Sequence, residues 1–180
     1  MSDFKKSNQT AWQFGGAALY EHRFNKDLMM RFGALYNKEF FGHFIIPAIH
    51  LDWAVSKKLR LVGLLPVYMK IKYQQNKNLE YGVSFLGLTN SFRLGEENYK
   101  DDYMVRQSID FALYERYHLG KNIHLETKIG FALGRKYEQY SSDDKIDLAI
   151  PLKNFNDKRN IKNIPFDNGA FINIKLVYSL

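Results

Sequence analysis

Residues 123–136, IHLETKIGFALGRK, alternate with a period of two. Ile123, Leu125, Thr127, Ile129, Phe131 and Leu133 share one parity, and His124, Glu126, Lys128, Gly130, Ala132, Gly134 and Lys136 share the other. Successive side chains of a β-strand point to opposite faces, whereas a helix would scatter these residues around its circumference, so the stretch reads as a strand. The polar parity mixes charges with glycine and alanine. A face that only meets bulk water has no use for glycine, which weakens a strand. Charges paired across a narrow lumen, with small residues leaving room for long neighbours, account for the mixture, and the oily parity then faces lipid.

The same rhythm recurs along the chain. In 106–117 Ile109, Phe111, Leu113 and Tyr117 oppose Arg106, Ser108, Asp110, Ala112, Tyr114 and Arg116, and in 171–180 Ile172, Ile174, Leu176 and Tyr178 oppose Asn173, Lys175 and Ser179. Eight strands are predicted, at about 10–24, 28–41, 45–56, 59–74, 79–94, 103–118, 122–137 and 169–180. Short polar breaks separate them at 25–27, 56–58, 75–78, 95–98 and 120–122, the chemistry of turns between antiparallel neighbours. Within 59–74, Val62, Leu64 and Pro66 interrupt the polar parity, and Pro66 predicts a bulge or kink. Residues 138–168 lose the rhythm and read as one long polar loop. Strands of this length exceed the usual globular five or six residues and suit a tilted crossing of hydrocarbon. The expectation is an all-β, antiparallel, up-and-down transmembrane β-barrel of about eight strands, complete or part of a larger barrel, forming one domain over 1–180. An even count places both termini on the periplasmic side and the 138–168 loop outside the cell.

Composition narrows the alternatives. The chain has 180 residues with 16% aromatics and only 4 prolines, a strand-biased balance that fits one domain. No run of 18 apolar residues exists, which excludes a transmembrane helix and leaves a barrel open. Without cysteine there is no disulfide framework, thiol nucleophile or thiolate metal site. The first ten residues, MSDFKKSNQT, carry no apolar signal core, so the barrel reading expects a leader already removed or a longer parent chain. A net charge of +7 raises anionic partners. Nucleic acid is set aside, because base-stacking aromatics and basic residues lie on opposite parities.

The charges assigned to the lumen parity are mostly basic: Arg23, Arg31, Arg60, Lys70, Lys72, Arg106, Arg116, Lys128, Lys136 and Lys175, against Glu21, Asp52, Glu80, Asp110 and Glu126. From these and His50, the expected polar network of the lumen is Arg31, His50, Asp52, Arg60, Lys70, Arg106, Asp110, Arg116, Glu126 and Lys128. A narrow barrel has room for side chains and little else, so the network is expected to fill the lumen as interlocked ion pairs. An anion-favouring slot would need further strands to widen it. Trp12, Tyr20, Tyr36, Trp53, Tyr73, Tyr117 and Tyr178 sit toward strand ends on the oily parity, as interfacial girdles do. Pairs such as His50 with Asp52, Ser108 with Asp110, and His124 with Glu126 lack any nucleophile motif, and the five histidines have no metal-binding spacing. No catalytic residue, metal or cofactor is therefore assigned.

Several segments carry a resemblance: GGAALYEHRF (15–24), LYNKEFFGHFIIPAIHLDW (35–53), LLP (64–66), TNSFRL (89–94), Arg106, GRKYE (134–138) and PFDNGAFINIKLVY (165–178). Together they resemble an uncharacterised family of outer-membrane β-barrels of Bacteroidetes-type Gram-negative bacteria, known only as a domain of unknown function. The resemblance implies an outer-membrane location and lipid neighbours, and carries no ligand or catalytic residue across. The expected role is structural, adhesive or passive transport of small solutes, with outer-membrane lipids, lipopolysaccharide or a small anionic solute as partners. A soluble lipocalin-like carrier, the same alternation turned inside out around an apolar ligand, is the alternative. A lipid-modifying enzyme is a third.

Overall fold

The computed structural model describes residues 12–95 and 102–179. All regular structure there is β. The strands are β1 (Phe14–Arg23), β2 (Leu28–Glu39), β3 (Gly42–Ala54), β4 (Leu59–Leu65), β5 (Tyr68–Gln74), β6 (Leu79–Arg93), β7 (Tyr103–Gly120), β8 (Ile123–Tyr140), β9 (Ile146–Ile150), β10 (Lys153–Phe155) and β11 (Gly169–Tyr178). Nine of them form a continuous antiparallel path, β1-β2-β3-β4-β5-β6-β7-β8-β11, with β9 and β10 off it. The expected positions 10, 11 and 180, and the 95–98 turn beyond Gly95, lie outside the described residues.

Three expectations are corrected. The expected strand 59–74 is a hairpin: the Leu65–Pro66 peptide is cis, the Val67 N–H donates to the Leu64 carbonyl at 2.7 Å, and β5 returns along β4 with Leu64 opposite Tyr68. No glycine or asparagine marks this reversal, so the turn was hidden within an apolar run. Second, the 138–168 loop contains structure. Strand β8 runs on to Tyr140, and β9 and β10 form a hairpin whose first strand pairs in parallel with the start of β3, Phe44 opposite Ala149. Because β4 reaches only Ile49 of β3, the beginning of β3 would otherwise present unpaired backbone, and β9 takes part of that edge.

The third correction concerns count and closure. The sheet has eleven strands rather than about eight, and β1 and β11 do not pair, so it is not closed into a barrel among the described residues. Eight successive antiparallel pairings leave β1 and β11 running in the same direction. The chain therefore enters β1 at the end where the 138–168 segment lies, called here the loop end. It leaves β11 beside the Lys121–Asn122 turn, at the turn end. The two ends of the described chain are on opposite sides of the sheet, not on the same side.

The sheet is strongly curled. Near its loop end, Glu39 of β2 accepts hydrogen bonds from the Ser91 backbone N–H (3.1 Å) and hydroxyl (2.6 Å) of β6, and Gln13 donates to both Glu39 and Ser91. These residues are four strands apart along the path and meet only because the sheet bends round on itself. Enclosed at this end is a cluster of Phe41, Phe44, Ile46, Tyr103, Val105, Tyr140, Ile146 and Ala149, all buried. Toward the turn end the enclosed face becomes ionic. Outside, the polarity reverses: Leu113, Ile129, Ile172, Ile174 and Leu176 are each 61–71% exposed.

A bulge resets parity partway along. Register shifts between Gln107 and Ile109, where Gly134 (φ +57°) and Arg135 of β8 stand against the single residue Ser108. The extra residue turns Tyr103 and Val105, rather than Arg106, toward the enclosed side.

Candidate functional site

The ionic half of the enclosed face centres on Glu126, which is 0% exposed. It stands directly opposite Arg116 of β7 on one side and Lys175 of β11 on the other. Arg116 donates from Nε (3.1 Å) and Nη2 (2.7 Å) to Oε2. Lys175 Nζ lies 3.0 Å from Oε1, Lys128 Nζ 3.5 Å from Oε1, and Lys70 Nζ 3.5 Å from Oε2. Strict alternation puts Glu126 and Lys128 on one face of β8, and the cross-strand register brings Arg116 and Lys175 beside them. Lys70 arrives from β5, three strands away, because of the curl. A buried carboxylate is tolerated only when its charge is met: Oε2 accepts the Arg116 and Lys70 hydrogen bonds, while Oε1 has no hydrogen bond among the described residues and is met by the charges of Lys175 and Lys128.

The small residues on this face seat aromatic rings. A Cβ on Gly82 would overlap the Ile71 carbonyl and come within 3.2 Å of the Tyr114 ring. One on Gly130 would overlap the Phe111 carbonyl and lie 2.7 Å from the Phe171 ring. Tyr114 in turn donates from its hydroxyl to Glu80 (3.0 Å), and its ring lies 4.9 Å from Lys70 Nζ. Glycine among charges thus makes space for the rings that pack between them.

The other expected network residues divide into smaller groups. Arg60 donates to Asp52 through two bonds of 2.7 and 2.6 Å, and Arg31 pairs with Glu21 at 2.8 Å. His50 and Asp110 lie on the enclosed parity, each with one buried polar atom, Nδ1 and Oδ1, that lacks a hydrogen-bond partner among the described residues. Arg106 is not with them. Its guanidinium stands 5.7 Å from the Tyr137 ring, on the face opposite Val105 and Gln107, as the bulge dictates.

Of the expected interfacial aromatics, Tyr20, Trp53, Tyr73, Tyr117 and Tyr178 lie within four residues of strand ends at the turn end, with Tyr73 packed 5.3 Å from Tyr81. Tyr36 lies within four residues of a strand end at the loop end, where Trp12 precedes β1. Tyr36 is hydrogen-bonded to His43 Nδ1 at 2.8 Å.

A clasp at the loop end, within the stretch read as a polar loop, had no signal in the alternation. Arg159 donates to both oxygens of Asp157 (2.9 and 2.8 Å), and its guanidinium lies 4.1 Å from the Tyr140 ring centroid. Those hydrogen bonds hold the Asp157 carboxyl down at about 2. Lys162 and Gln139 hold Asp102 below its usual range, against the desolvation that opposes it. With the apolar cluster beneath, the clasp covers the loop end of the enclosed space.

The carboxylates of the His-acid pairs are committed elsewhere. Asp52 is taken by Arg60 and Glu126 by its four cations, while His124 packs against His118 at 4.8 Å. The arrangement can hold fixed positive charge facing an enclosed space.

No curated protein and no solved structure matches the chain. A family model does, across residues 1–178. The chain therefore belongs to the family described as a domain of unknown function, DUF6268.

Proposed function

We propose that this protein is a bacterial outer-membrane β-barrel without covalent catalysis, its apolar face in contact with outer-membrane lipid and lipopolysaccharide and its ionic face lining the lumen. The observation that supports this reading is inverted polarity: Ile129 is 61% exposed while Glu126, three residues earlier on the same strand, is fully buried. In water such an arrangement exposes oil and buries charge, both unfavourable; in a bilayer the outward face is solvated by lipid. A carrier of the lipocalin type needs the opposite orientation. Since β1 and β11 run the same way, direct closure makes a parallel seam, and an antiparallel seam needs an odd number of further strands.

Among the roles open to such a barrel, the apolar cluster and the Arg159 clasp at the loop end favour a structural or adhesive one over an open pore. The experiment is to fold the chain with and without detergent micelles and compare boiled with unboiled samples by gel electrophoresis. A fold that requires micelles and a heat-modifiable band are expected. A monodisperse folded protein in plain buffer would overturn the membrane reading in favour of a soluble carrier.

A further inference from the structure

We infer that the cations around Glu126 form a binding station for a small, soluble, multivalent oxyanion of the phosphate class within the lumen. The inference rests on the barrel reading for its setting, and its chemistry rests on charge count and donor geometry.

Four cationic side chains from four strands converge on one carboxylate. One negative charge among four positive ones leaves an excess of three. Asp52 and Glu21 are held by Arg60 and Arg31, while Glu80, directly opposite Arg116, keeps its charge as it accepts the neutral Tyr114 hydroxyl and brings the excess to two. Cations held this close repel one another strongly wherever the surroundings are less polar than water, and a multivalent anion relieves that repulsion more than chloride does.

The donors suit an oxyanion. Each lysine ammonium has three N–H groups and the guanidinium five, of which Glu126 engages a minority. Glu126 is enclosed, yet its partners are not: the side chains of Lys70, Arg116 and Lys128 are 20–26% exposed and that of Lys175 is 47% exposed. Glu126 thus acts as a positioning residue that gathers the cations from behind, leaving their remaining donors toward the lumen. The Tyr114 ring covers one side of the Lys70 ammonium at 4.9 Å, whereas Ser84 and then Ala112, beside Lys70 on the same face, are too short to cover the rest. Because the cluster lies on the face opposite the exposed Ile129 and Ile174, the anion is a solute of the lumen rather than a lipid headgroup.

The test is calorimetric titration of the folded protein with inorganic phosphate at fixed ionic strength, with chloride as the control anion. The protein is used in micelles, or in plain buffer if it folds there. Saturable phosphate binding is expected. It should weaken about tenfold or more in Lys128→Ala/Lys175→Ala, because each lost charge-assisted hydrogen bond is worth roughly that factor. Lys145→Ala/Lys158→Ala, which removes the same charge from the loop end, should leave it unchanged. If the double variant loses its heat-modifiable band, Lys175→Met on edge strand β11 gives the reading. Absence of saturable binding, equal binding by the folded cluster variants, or displacement of phosphate by micelles doped with phosphatidic acid would overturn the proposal. A micelle-dependent fold that ignores phosphate defeats the anion station alone. A fold in plain buffer defeats the barrel reading and leaves the titration interpretable.

Discussion

Arg116 directs two N–H groups, at 3.1 and 2.7 Å, onto a single carboxylate oxygen of Glu126, the residue directly opposite it across the β7–β8 ladder. Because Glu126 is fully buried while Arg116 and the three lysines keep some solvent, the two partners are not equivalent. Replacing Glu126 with alanine leaves four cations facing one another and should cost about 3 kcal/mol, in the range for breaking a buried pair. Arg116→Met should cost less, since Lys70, Lys128 and Lys175 still face the carboxylate. Urea unfolding in micelles, followed by the heat-modifiable band, gives the ranking; equal losses would contradict it.

Gly82 on the enclosed face and Gly16 outside it differ sharply in the space around them. Gly82→Ala forces its methyl against the Ile71 carbonyl and the Tyr114 ring and should lose about 2 kcal/mol by overpacking. Gly16→Ala meets nothing within 4 Å and should be neutral or slightly stabilising. The same unfolding measurement compares them.

Sidedness can be read chemically, because the chain has no cysteine of its own. Single cysteines at Lys57, in the turn after β3, and at Lys145, before β9, lie at opposite ends of the sheet. In intact cells a membrane-impermeant maleimide should label Lys145→Cys and spare Lys57→Cys. Trp12→Cys should be labelled and Ser179→Cys spared, because the described chain starts and ends on opposite sides. Labelling of both positions in either pair would contradict a sheet that spans the membrane.

Acid should loosen the loop-end clasp. The folded Asp157 carboxyl titrates at about 2, below its ordinary 3.8, so the charged form is the one the fold favours. Its stabilising contribution is therefore fully present above the ordinary carboxylate range and is lost as pH falls from about 4 toward 2. Thermal midpoints of the native protein and of Asp157→Asn should differ at pH 5 and converge by pH 2. A constant difference across that range would show that the carboxylate charge is not what holds the clasp.

Alternation along 123–133 was enough to make β8 a strand and to group Glu126 with Lys128 on one face and Ile129 with Phe131 on the other, because side-chain parity is a property of the local backbone. The same local rule misplaced Arg106, since the residue that resets parity is the extra one on β8, and a bulge is defined only by the strand opposite. It also merged β4 with β5, whose reversal at Pro66 has no glycine, asparagine or aspartate to mark it, and missed the β9–β10 hairpin, whose place is an edge that β4 leaves unpaired.

By itself, then, the sequence determined that this chain is all β and, within a stretch free of bulges such as 123–133, which residues share a face. Which face is enclosed, and which acid gathers the cations, was decided by tertiary structure alone. Lys70 and Glu126 are 56 residues apart in the chain, and only the curl of the sheet brings their charges together. Face identity is local, whereas charge compensation depends on every strand the curled sheet brings within reach.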